Sequence, residues 1–151
     1  MDSNSMEEFE KNFCGKWKME SEENVVELCD HMKLCEEDRK MMTSVQPALI
    51  LERKGDAIEQ TYKDDNFTFS QVVTFGVPYE SKAPGDSPMY HNITTCTFKD
   101  GVMHNDVVSQ LTGEKKRDFE VDVKIEGGKL VTTDWQKGDP SVKAKRVYVK
   151  F

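Results

Sequence analysis

The sequence predicts an all-β fold, a ten-stranded antiparallel up-and-down β-barrel capped by a helix-turn-helix after the first strand. Three observations carry this expectation. Apolar residues alternate with period two from Pro47 onward, and turn formers recur at roughly 8–12-residue intervals. The best helical spacing falls between the first strand and all the others. At 151 residues the chain has the size of one domain, read as an N-terminal extension over 1–12 and a single barrel domain over 13–151.

The first strand is expected over 13–20, where Phe13, Trp17 and Met19 share one parity and Gly15 permits a kink or close packing. Residues 1–12 are expected to cover one end. Val25, Leu28, Cys29 and Met32 then fall at i, i+3, i+4 and i+7, with Asn24 as N-cap and Glu27 completing a capping box. A second helix over 36–44 is rich in helix-forming Glu, Arg, Lys and Met, and it must stop before Pro47, since the residue before a proline avoids the α region.

Nine further strands are predicted over 48–53, 57–63, 68–75, 77–82, 90–98, 102–110, 116–126, 129–136 and 142–150. Segments such as Lys54-Gly-Asp56, Lys99-Asp-Gly101, Gly127-Gly128 and Lys137-Gly-Asp-Pro140 separate them, supplying residues that tolerate positive φ or fix a turn. Connections this short join antiparallel neighbours. Closing such a meander removes its sheet edges and encloses a cavity.

Charge and composition narrow the partners. With 28 Asp+Glu against 21 Lys+Arg the formal charge is −7, the wrong sign for a chain that binds nucleic acid. No apolar run approaches the roughly 18 residues of a spanning helix. The acidic start of the chain lacks the basic and apolar regions of a signal peptide, so the expected location is cytoplasmic. Cys14, Cys29, Cys35 and Cys96 lack CxxC spacing and are expected to be reduced thiols. The sequons at Asn66 and Asn92 read as ordinary strand positions.

Catalytic signatures are missing. His31, His91 and His104 form no HExxH pair, and neither G-x-S-x-G nor a glycine-rich phosphate loop occurs. The Glu36-Glu-Asp38 run reads as a solvated acidic face. The expectation is a protein that is not an enzyme and takes no cofactor and no metal.

Three separated segments resemble the intracellular lipid-binding proteins, the fatty-acid-binding protein family of calycin-like barrels. Phe13-Cys-Gly-Lys-Trp-Lys-Met19 with Ser21-Glu-Glu-Asn24 is similar to the family's first strand leading into helix one. Arg39-Lys40 followed by Pro47 is similar to its second helix running into the second strand, and Lys145-Arg-Val-Tyr-Val-Lys150 to its closing strand. The resemblance implies that Arg146 and Tyr148 point inward and bind a lipid carboxylate. A guanidinium offers a planar fork of donors suited to that group, and a tyrosine hydroxyl adds another.

The family's second inward arginine falls here on Val123. Phe119, Val121, Val123 and Ile125 form an apolar face, and Arg117, which shares their parity at the far end of the strand, is the candidate ligand-binding cation to replace the one missing at Val123. Asp134 aligns with an inward position where it would compete for Arg146, whereas a shifted register would turn Trp135 inward instead. Val25, Cys29 and Met41 are expected to wall the cavity from the helices, with Phe67 and Phe75 across the entrance.

The function implied is non-covalent intracellular binding and transport of a long-chain fatty acid or similar hydrophobic anion by a monomer. Its partners would be that hydrophobic small molecule and a membrane touched transiently through the helix cap. The alternative is a carrier of a retinoid, bile-acid-like or pigment ligand whose polar group is seated elsewhere in the cavity.

Overall fold

The computed structural model describes residues 3–44, 47–65, 68–81, 91–113 and 116–151. The chain runs through α1 (Ser3–Phe13), β1 (Gly15–Glu23), α2 (Val25–His31), α3 (Glu36–Ser44), β2 (Ala48–Lys54), β3 (Ala57–Lys63), β4 (Thr68–Val73) and β5 (Tyr79–Ser81). It continues through β6 (Asn92–Lys99), β7 (Val102–Ser109), β8 (Phe119–Glu126), β9 (Lys129–Gln136) and β10 (Asp139–Lys150). The ten strands form one antiparallel sheet in the order β4-β3-β2-β1-β10-β9-β8-β7-β6-β5, so β1 pairs with both β2 and β10 and the sheet curls into a nearly closed barrel. The expected all-β barrel with its helix pair after the first strand is what the structure has.

Local chemistry sets several boundaries. Glu126 pairs with Lys129 across Gly127 and Gly128, both at positive φ, the two-residue hairpin turn whose twist matches the flanking strands. Pro140 lies between Asp139 and Lys143, where the β9–β10 register shifts, and its missing N–H is tolerated at such an irregularity. Asn24 corrects the expected capping box: its φ of 59° is left-handed, its side chain makes no cap, and Nδ2 instead donates to the Lys143 carbonyl at 3.3 Å. Asn92 and Thr94 are buried strand residues, and the Thr94 hydroxyl donates to the Asn92 side-chain oxygen at 3.1 Å.

One helix lies outside the expected pair. In α1, Met6, Phe9 and Phe13 share one face by their spacing of three and four residues, and all three are buried. Phe9 stacks on Phe13 at 5.0 Å between ring centroids and meets Phe75 and Phe98 edge-on at 5.4 and 5.6 Å. Because Phe13 ends this helix, β1 starts only at Gly15.

The apolar interior falls into two clusters at opposite ends. The first joins α1 and Trp17 to Leu51, Ile58, Val73, Phe75, Met103, Val123 and Leu130, close to the hairpin turns β2–β3, β6–β7 and β8–β9. Glu10 reaches Arg53 at 3.6 Å on the same side. The second joins Val25, Leu28, Cys29, Met32, Leu34 and Met42 of the helical cap to Phe119 and Ala144. There His31 Nε2 meets Asp139 Oδ2 at the start of β10 at 2.8 Å. Arg39 makes the cap one unit, donating from Nε to the Leu34 carbonyl at 3.0 Å, from Nη2 to the Cys29 carbonyl at 3.3 Å and from Nη1 to Asp30 at 2.6 Å.

Candidate functional site

Side chains alternate across each strand, so Ala144, Arg146 and Tyr148 share one face of β10. Ala144 packs in the cap cluster and Tyr148 against the opposite cluster, which makes that face the inside and sets Arg146 between the two. Its side chain is 17% exposed. Nη2 donates to the Met42 carbonyl of α3 at 2.7 Å, Nε faces Glu22 Oε2 of β1 at 3.4 Å, and Nη1 lies 3.8 Å from Asp134 Oδ2 of β9. The cation therefore joins two strands to the second cap helix.

Asp134 faces inward, and the alternative register that would turn Trp135 inside does not occur. Trp135 instead donates from Nε1 to Glu120 at 2.9 Å with Lys143 over its ring at 4.7 Å, on the outer face. Burial raises the Asp134 pKa above the usual carboxylate value, opposed by the nearby Arg146 charge. Burial likewise raises the Tyr148 hydroxyl, which Arg146 partly offsets.

On β8, Val121, Val123 and Ile125 belong to the apolar interior at the α1 end and Phe119 to the cap cluster. Arg117, just before β8, is buried against the cap: Nε lies 3.4 Å from Asp38 Oδ2 of α3, and Nη1 donates to the Lys116 carbonyl at 2.7 Å. Glu36 and Glu37 are exposed as expected, whereas Asp38 is 0% exposed and departs from the solvated face, its side chain turned inward toward Arg117.

Val25 and Cys29 lie in the cap cluster. Met41 is half-buried, whereas its neighbour Met42 is buried and its sulfur accepts from the Cys29 thiol at 3.8 Å. Phe75 packs with Phe9 and Phe98 at the α1 end, away from the cap cluster. Phe67 lies outside the described residues. Periodicity alone did not single out Glu22, Met42 or the interior polar pair Gln60 and Gln71, in which Gln71 Nε2 donates to Gln60 Oε1 at 3.1 Å. The strand parities of Gln60 with Ile58, and of Gln71 with Val73, were the available signal for that pair.

Chemically, the described interior holds the Arg146 guanidinium flanked by two carboxylates, with the phenol of Tyr148 two residues along the strand, between two apolar ends. Such an arrangement suits an amphipathic molecule with one polar head. No protein-family model and no curated protein sequence matches the chain. Solved structures do. Lipid binding protein 8 of Caenorhabditis elegans superposes with a TM-score of 0.73 at 21% identity, covering 93% of this chain and 96% of that one. Fatty-acid-binding protein 1 of Echinococcus granulosus gives 0.72 at 22% identity, with 93% and 98% covered. A REP1-NXSQ fatty acid transporter gives 0.70 at 20% identity, with 93% and 97% covered. Near-complete coverage of both chains, together with the strand order and the cap after β1, means that this chain has the fold of the fatty-acid-binding proteins.

Proposed function

We propose that the protein binds a long-chain fatty acid or similar hydrophobic anion non-covalently inside the barrel and carries it through the cytoplasm as a monomer. The observation that carries this reading is the inward Arg146–Tyr148 pair on the closing strand, with Arg146 bonded to the cap and Tyr148 against the opposite apolar end. Arg146 and Tyr148 would hold the head group, while Val25, Cys29 and the Met41–Met42 pair would border the entry side. Burying the acyl chain would contribute about 0.8 kcal/mol per CH₂. Four free thiols accord with a reducing compartment. The reading assigns no catalysis, so turnover of any lipid in a substrate panel would count against it.

The experiment is displacement of an environment-sensitive fluorophore by oleate or palmitate. One acid per chain should displace it. Saturable fluorophore binding that no lipid acid reverses would reject the reading.

A second reading has its own support. Arg146 already has Asp134 and Glu22 beside it, so the site does not lack an anion. That favours a ligand with a neutral polar head, such as a retinoid, and a fatty alcohol that outcompetes its acid would select it.

A further inference from the structure

Among the described residues, three acceptors surround Arg146: the Met42 carbonyl, Glu22 and Asp134. A carboxylate head that reached this guanidinium would be the third carboxylate around one cation. Carboxylates sharing a site cannot all stay ionised cheaply, and the usual outcome is that one keeps a proton. Glu22 is the more exposed of the two residents, at 31% against 19% for Asp134. Water screens its charge better.

The surroundings of Asp134 leave it few other ways to balance its charge. Its strand neighbours are Val121 on β8 and Ala144 on β10, both uncharged. The groups that share its field are Arg146 and Tyr148 on β10, Tyr62 on β3, and Glu22 on β1 through the shared guanidinium. From the cap, the Cys29 thiol on α2 feels Arg146, Arg39, Asp30 and Asp38, and Asp38 on α3 faces Arg117. Burial raises both tyrosines and Cys29, so none of the three loses its proton near neutrality. His31 on α2 pairs with Asp139, outside this group.

We propose that Asp134 determines head-group specificity: a ligand carboxylate binds Arg146 together with one proton from solvent, shared by that carboxylate and Asp134, whereas a hydroxyl head binds without one. This rests on the carrier reading and deepens it. The free protein plus ligand anion plus one proton gives the complex, so affinity for an acid rises as pH falls while affinity for the alcohol stays level. A hydroxyl can donate to Asp134 and leave the ion pair charged.

The test uses the full chain with oleate and oleyl alcohol as probes, titrated between about pH 5.5 and about pH 7.5. Proton uptake is read by calorimetry in buffers of different ionisation heat. Wild-type affinity for oleate should fall by up to tenfold per pH unit, the limit for one proton, with close to one proton taken up per oleate at constant pH. Oleyl alcohol should show neither effect. Asp134→Asn should abolish the slope and bind oleate at least about fivefold more tightly at the upper pH.

Oleate bound by the wild type with no proton uptake overturns the proposal and leaves the carrier reading standing, and this measurement needs no variant. A slope that persists in Asp134→Asn assigns the proton to another group and also overturns it. Failure of the wild type to bind oleate at any pH removes both readings together.

Discussion

Arg146 on the closing strand donates to the Met42 carbonyl on the second cap helix at 2.7 Å, so the proposed head-group ligand also fastens the cap to the barrel. A carboxylate that draws the guanidinium toward itself competes with that bond. On the proposed reading, binding would therefore act on the fastening of α3 through Arg146.

Arg146→Gln keeps hydrogen-bond donors and removes the charge. Affinity for oleate is expected to fall by about 1.5–3 kcal/mol, the worth of a hydrogen bond to a charged group, while oleyl alcohol loses little. Stopped-flow exchange should be faster for both ligands, because the bond to α3 weakens whichever head is bound. Equal losses of affinity for acid and alcohol would mean general damage to the barrel.

Tyr148→Phe should cost oleate about 0.5–1.5 kcal/mol, as one neutral donor is lost, and the fluorophore competition assay reads it. The ring stays packed against the interior, so urea stability should change less than in Arg146→Gln.

Much of this arrangement was legible in the sequence, and the misses have physical causes. Period two placed Ala144, Arg146 and Tyr148 on one face, and the structure makes that face the inside. Parity alone could not choose between Asp134 and Trp135. What decides is the register Ala144↔Asp134 together with the partners that Trp135 finds outside in Glu120 and Lys143. Helix phase is harder to fix in a helix of 9 residues, and the buried methionine proved to be Met42, one residue beyond the expected Met41. The α1 pattern of Met6, Phe9 and Phe13 is present in the sequence, but Phe13 also carries the parity of Trp17 and Met19, which divides the pattern between helix and strand.

Phe9→Ala tests whether α1 belongs to the folded unit. Phe9 is 0% exposed and touches three other phenylalanines, so truncation should cost about 3–5 kcal/mol in urea denaturation. A loss under about 1 kcal/mol would mean that the helix rests on the barrel without supporting it.

Arg117→Gln separates a second head-group ligand from a fastening of the cap. Arg117 is 8% exposed and lies 3.4 Å from the fully buried Asp38, so removing its charge leaves an anion inside the cap. Breaking such a pair typically costs about 3–5 kcal/mol. Thermal stability should drop, and oleate and oleyl alcohol should be affected alike. A selective loss of oleate binding would instead put Arg117 in the head-group site. Asp38→Asn with Arg117→Gln should recover part of the stability, because the two charges that face each other are then removed together.

Asp134 gives a stability effect with a defined sign. Its folded-state pKa is raised above the ordinary carboxylate value because desolvation outweighs the attraction of Arg146. The folded protein therefore holds this proton more tightly than the unfolded chain. The contribution to stability is fully present below the unfolded value, declines as pH rises through the folded value, and is gone above it. Asp134→Asn cannot lose a proton, so its stability relative to the wild type should climb across that window and then level off. Urea melts of the two proteins over a range of acidic to neutral pH read this difference, with the other carboxylates cancelling. In an Arg146→Gln background the opposing attraction is removed, which should extend the climb to higher pH. A relative stability that falls with rising pH would show that the ion pair with Arg146 outweighs the desolvation of Asp134.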